Sequence, residues 1–95
     1  MRTIGIDIGS FKDVSYYVIA EFKHGQIYIL EHKEMTAEQV SRLIDRLHFI
    51  NSLMDMSFVD KKVMILNDIN SILDVRINDF NIDYPTLNYK FGNRQ

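Results

Sequence analysis

Ile4-Gly5-Ile6-Asp7-Ile8 sets a carboxylate into an isoleucine-rich alternation. Ile4, Ile6 and Ile8 share one face of an extended chain, and Gly5 and Asp7 share the other. The pattern predicts a strand over Thr3–Ile8, which Gly9-Ser10 interrupt. An acid at such a place is costly to bury unless it is paired, hydrogen-bonded or bound to a metal.

A second alternation follows. Tyr16, Val18, Ala20 and Phe22 fall on one face of a strand predicted over Val14–Phe22, with Tyr17 and Ile19 on the other. Lys23-His24-Gly25-Gln26 reads as a hairpin turn, with Gly25 available for positive φ. Ile27–Leu30 returns as a third, antiparallel strand. Thr36-Ala37-Glu38-Gln39 is a capping-box sequence, and Met35 and Val40 stand where a hydrophobic staple would. Val40, Leu43, Ile44, Leu47, Ile50 and Met54 then recur at three- and four-residue spacing. That predicts an amphipathic helix of roughly 15 residues. Its outer face, with Glu38, Arg42, Asp45 and Arg46, reads as solvated.

Lys62–Asn67 is a short continuous apolar run that suits a central parallel strand buried on both faces. A right-handed crossover would join it to the first strands. Ile69, Ile72, Leu73, Ile77 and Phe80 keep helical spacing and suggest a second helix. From Asn81 the pattern dissolves into an extended tail around Pro85, and Gly92–Gln95 is expected to fray.

At 95 residues and 46% apolar, the chain has room for a single domain over residues 1–95 with a modest two-layer core. Eleven Lys and Arg against thirteen Asp and Glu leave a net charge of −2. That argues against coating nucleic acid through bulk charge, while a local basic face stays open. The absence of cysteine excludes a disulfide scaffold, a zinc–thiolate site and a thiol nucleophile. No apolar run is long enough for a membrane span. The Met1–Gly5 start lacks the marks of a signal peptide. A soluble cytoplasmic protein is the expectation.

Three antiparallel strands, a helix and a strand parallel to the first form an order that resembles the opening of the ribonuclease H-like fold, an α/β fold with a mixed sheet. Ile4–Ser10 resembles the first strand of Holliday-junction resolvases, where an Asp in a hydrophobic-Gly-hydrophobic-Asp strand is a metal ligand. Gly9–Leu30 resembles the nuclease domain of phage terminase large subunits. Lys12-Asp13 matches the Lys-Asp pair that follows the first-strand Asp there. An apolar strand, a Gly turn and Ile27-Tyr28-Ile29-Leu30 come next. The resemblance covers residues 3–70 and implies a short, truncated or degenerate metal-dependent nuclease. The same heptapeptide also resembles the first phosphate loop of the actin/hexokinase superfamily, with Asp7, Gly9 and Ser10 around a phosphate. A complete ATPase of that kind needs a second such domain.

The resemblance makes Asp7 a ligand for Mg²⁺ or Mn²⁺, which prefer carboxylate oxygen. The competing reading makes Asp7 a structural acceptor for amides of the Gly9-Ser10 turn. Asp68, at the end of the expected second parallel strand, would be the partner ligand in a two-metal arrangement for phosphodiester cleavage. The families usually carry Glu there. The simpler and favoured reading is that Asp68 or Asn70 caps the next helix. Ser10 and Lys12 would touch the nucleic-acid backbone. A third acid has no motif, although Asp74, Asp79 and Asp83 are available.

His24, His32 and His48 show no metal-ligand spacing and read as ordinary residues. Tyr16, Tyr17 and Tyr28 suit cross-strand pairs better than base stacking. Lys12, Lys23, Lys61, Lys62 and Lys90 do not cluster in sequence.

The leading expectation is a Mg- or Mn-dependent nuclease-like module acting on nucleic acid, with catalytic and metal residues Asp7 and Asp68. The alternative is a small non-catalytic phage or mobile-element protein. It would bind a host protein, or self-associate, through an unpaired outer strand. A phosphate- or nucleotide-binding half-domain is a third reading.

Overall fold

A computed structural model describes residues 1–9 and 14–84, together with the backbone of 89–91. Seven elements follow in order: β1 (Arg2–Asp7), β2 (Tyr16–Lys23), β3 (Gln26–Glu34), α1 (Ala37–Asn51), α2 (Phe58–Leu73), β4 (Asp79–Tyr84) and β5 (Tyr89–Phe91). They build an α/β fold with one mixed sheet, ordered β3-β2-β1-β4-β5. β1, β2 and β3 are antiparallel neighbours, β4 runs parallel to β1, and β5 returns antiparallel to β4.

The β-branched alternation of β1 explains its place. Ile4, Ile6 and Ile8 are buried beneath the helices, beside Phe80 and Ile82 of β4 and Tyr17 and Ile19 of β2. The turn between β2 and β3 has two residues, His24 at φ 55° and Gly25 at φ 73°. Both are left-handed, which is the turn that matches strand twist. β3 extends past Leu30 to Glu34 and carries a bulge: Ile19 pairs with Glu31 and Ala20 with Ile29, leaving Leu30 between.

α1 begins as the sequence predicts. Thr36 Oγ1 accepts from the Gln39 amide, and Gln39 Oε1 accepts from the Thr36 amide. Met35 is buried, and Val40 packs against the core. Leu43, Leu47 and Ile50 are completely buried. Met54 lies beyond the helix and is 90% exposed, so the apolar stripe ends at Ile50.

Two expectations fail in the next segment. Lys62–Asn67 is not a strand but the middle of α2, and the strand parallel to β1 is β4, within the span read as helix end and tail. Ser57 caps α2 by accepting from the Asp60 amide. Ile65, Ile69, Ile72 and Leu73 then fall on one buried stripe. Within the apolar run at 63–66 only Ile65 is fully buried; Met64 and Leu66 are partly buried against the core, and Val63 is 52% exposed. Such a run carries no period to separate helix from strand. The helix stops without glycine: Asp74 takes the left-handed C-cap position at φ 54°. Asn70 then holds the turn, accepting from the Ile77 amide at 3.0 Å. Asn78 Oδ1 accepts from the Arg2 amide, and the Asn78 amide donates to the Arg2 carbonyl, which starts β4 alongside β1. Among the described residues no helix is long and apolar enough to cross a membrane.

Leu47→Ala should cost about 2–5 kcal/mol in urea melts, because Leu47 is completely buried and its loss leaves a cavity. Arg42→Ala, on the exposed face of α1, should cost under about 0.5 kcal/mol. Equal costs would mean that the helical face is misassigned. A second test uses Tyr17, buried in the core, whose hydroxyl is pushed above the ordinary tyrosine value by burial and by Glu31. The raised folded value means that the unfolded chain releases this proton first. Stability should therefore fall as pH rises through about 10. Tyr17→Phe should flatten that alkaline limb in denaturant titrations, and an unchanged limb would remove Tyr17 as its source.

Candidate functional site

The parallel register sets Asp7 beside Asp83 at the carboxyl ends of β1 and β4. Adjacent strands are about 4.8 Å apart. Because Ile4, Ile6 and Ile8 point into the core, Gly5 and Asp7 point to the opposite, uncovered face. Ile82 and Tyr84 are likewise buried, so Asn81 and Asp83 share that open face. The chain leaves β1 toward β2 on one side and β4 toward β5 on the other. A crevice between two such strand ends is where open α/β sheets usually bind ligands.

Gly5, Asp7, Tyr16, His32, Asn81 and Asp83 line a shallow depression of about 450 Å³ there. Gly5 forms the floor: a Cβ added to it would meet no heavy atom within 4 Å. Tyr16 and His32 form one wall, their rings 5.6 Å apart and tilted. Asn81, in register with Gly5, carries the one buried side-chain polar atom among the described residues with no hydrogen-bond partner, its Oδ1. Burying a carbonyl oxygen without a donor costs about 1–3 kcal/mol, so this atom invites a ligand. Three oxygen-bearing side chains therefore meet in one place.

Neither Asp7 nor Asp83 forms an ion pair among the described residues. In the β4–β5 ladder Lys90 is in register with Asp83. The structural-acceptor reading of Asp7 loses a donor: the Gly9 amide goes to the buried Ser15 hydroxyl at 2.9 Å. The Ile8 amide goes to the Asp83 carbonyl at 3.0 Å.

Asp68 stands elsewhere. It lies on α2, not at a strand end, and takes a hydrogen bond from Arg46 Nε of α1 at 2.9 Å. Both helices cover the face opposite Asp7, so the structure does not bring Asp68 to Asp7. It does not cap a helix either; it ties α2 to α1. Arg46 is accordingly not a merely solvated residue, and its guanidinium also lies over the Phe49 ring at 4.9 Å. Ser10 and Lys12, like Asp13, lie outside the described residues. Of the other acids, Asp79 pairs with Lys62, and Asp74 is the α2 cap. No group of three His, Cys, Asp or Glu converges among the described residues. Tyr17 is core, as expected, whereas Tyr16 and Tyr28 are exposed by 39% and 41%.

A larger hollow of about 1020 Å³ opens at the other end of β1, between the sheet and α2. Its amides are already used: Asn70 bonds Ile77, and Asn78 bonds Arg2. No buried, unbonded side-chain polar atom among the described residues lies there, while the smaller depression holds the Asn81 oxygen.

No protein-family model, curated protein or solved structure matches this chain.

The Arg46–Asp68 pair is partly exposed on both sides, at 40% and 23%, so its coupling is screened. A double-mutant cycle with Arg46→Ala and Asp68→Ala should return about 0.5–1 kcal/mol. A coupling near zero would leave helix packing to the apolar residues alone.

Proposed function

We propose that this chain is a nuclease-like module of ribonuclease H-like type, which engages nucleic-acid phosphate through a divalent cation. The observation that carries the reading is the register pairing of Asp7 with Asp83 on the open face of the sheet. The donors fit a hard cation, because Asp7, Asp83 and Asn81 Oδ1 are all oxygen ligands, which Mg²⁺ and Mn²⁺ prefer. Asp83 takes the partner role that the sequence resemblance gave to Asp68.

When bound, such a cation neutralises phosphate charge and makes its water more acidic. The chain's own residues do the rest. Asp7 and Asp83 hold two negative charges side by side, an arrangement that destabilises a sheet unless a cation sits between them. Gly5 leaves room for a ligand close to the backbone. Tyr16 and His32 wall one side. Under this reading Ser10 and Lys12 touch the nucleic-acid backbone.

Thermal melts with and without Mn²⁺ test the site. The wild type should be stabilised by about 2.7 kcal/mol at a hundredfold excess over the dissociation constant. Asp7→Asn and Asp83→Asn should lose that response and be no less stable than the wild type without metal. Asp68→Asn should keep the response. Incubation with branched, duplex and single-stranded DNA and RNA–DNA hybrid then reads the chemistry, with cleavage expected in the wild type and lost in Asp7→Asn. A metal-blind wild type would end the reading. A metal-responsive protein that cleaves none of these substrates would reduce it to metal-dependent binding.

A further inference from the structure

β3 is the outer strand of the sheet on its β2 side, and every residue of it except Glu31 is exposed. Natural edge strands are usually blunted by charge, proline or covering structure. Gln26-Ile27-Tyr28-Ile29-Leu30 has none of these. Ile27 is 67% exposed, Ile29 64% and Leu30 47%, and Phe22, in register with Ile27, is 56% exposed. Two features bound this uncharged stretch. The two-residue turn at His24-Gly25 begins it, and the bulge at Leu30 ends it.

We propose that a second copy of this chain pairs with it, β3 edge to β3 edge, antiparallel about a twofold axis at Tyr28. The turn fixes which amides are free. A two-residue turn makes Lys23 and Gln26 a hydrogen-bonded pair, so hydrogen bonding toward β2 falls on Gln26 and Tyr28. The amides and carbonyls of Ile27 and Ile29 then point outward. Antiparallel pairing about Tyr28 sets Ile27 of each copy opposite Ile29 of the other, and both are outward-bonding residues. Gln26 then meets Leu30, so the ladder fills the flat stretch between turn and bulge and stops there. The ladder is its own complement, as a closed dimer requires.

Charge agrees with this register. No like charges face each other inside the ladder. Glu31 of each copy reaches the turn of the other at the uncharged Gly25, while Lys23 stays paired with Glu21 of its own copy. The area is modest. Side chains of this size offer on the order of 100–200 Å² each, and about half is free on Phe22, Ile27, Tyr28, Ile29 and Leu30. That gives on the order of 400 Å² of apolar surface per copy before the backbone edge is added. Edge pairing covers only part of that surface, so the interface is below the standard size and the dimer should be weak and concentration-dependent. The inference does not depend on the cation site.

Light scattering across a concentration series should show a mass rising from 11.2 kDa toward twice that value. Ile29→Lys should abolish the rise while leaving the far-ultraviolet circular dichroism unchanged. A second variant fixes the register, because the chain has no cysteine of its own. Tyr28→Cys brings two thiols together across the twofold axis at a non-hydrogen-bonded pair, where strands approach most closely. It should form a disulfide dimer under mild oxidation, whereas Ser41→Cys on α1 should not. A wild type monomeric at every concentration would overturn the proposal. So would a dimer that survives Ile29→Lys, or a Tyr28→Cys protein that stays reduced while the wild type dimerises.

Discussion

The parallel pairing of β1 with β4 is the contact on which the rest of the molecule depends. It joins Thr3–Asp7 to Asp79–Asp83 across most of the chain. A contact so distant in sequence carries a large loop-closure entropy, and backbone hydrogen bonds contribute little net free energy against it. The offset comes from the inward residues of the two strands. Ile4, Ile6, Phe80 and Ile82 are each no more than 3% exposed, and full burial of such side chains is worth about 1.5–3 kcal/mol apiece. α1 and α2 are held over these residues by their own apolar stripes, and the Asn78–Arg2 bonds start the pairing in register. A slip of one residue would turn every isoleucine of β1 to the open face and Asp7 into the core.

That same constraint makes the candidate site. Register chosen by hydrophobic burial on one face dictates what meets on the other, and here it brings Asp7 to Asp83 and Gly5 to Asn81. None of these open-face residues strengthens the core. Two neighbouring carboxylates repel, an unbonded amide oxygen is costly, and glycine weakens a strand interior. Three unfavourable choices in one depression, in a domain with little stability to lose, are the kind of local inconsistency that functional sites show.

The first half of the fold was legible because its signals have one period each. The alternations at 3–8 and 14–22, the Gly25 turn and the capping box at Thr36 place β1, β2, the start of β3 and α1, although β3 runs on to Glu34. The second half was not legible for a definable reason. The apolar run at 63–66 fits a strand and a buried helix equally, and the Asp74 cap does without the glycine that usually announces a helix end. Asn81, Ile82, Asp83 and Tyr84 do alternate, and Ser57 stands three residues before Asp60, so weak signals for β4 and α2 were present. Reading 62–67 as the strand moved the partner of Asp7 onto Asp68. One misplaced element thus displaced the site, while Asp7 itself was visible as an acid among isoleucines. The Asp7–Asp83 pairing is a matter of register between distant segments, which no local pattern encodes.

The proposed edge pairing and the cation site also constrain each other geometrically. Antiparallel strands related by a twofold axis keep the same face of both sheets on the same side. β1 is two strands in from the edge, so a dimer through β3 leaves both depressions uncovered and facing the same way. The β1 strands of the two copies would lie five strand spacings apart, about 24 Å at 4.8 Å each before twist is considered. Phe22, Ile27 and Ile29 from both copies would form the apolar ground between the two depressions, with a carboxylate pair on either side. A ligand that met both depressions would have to cross that apolar ground.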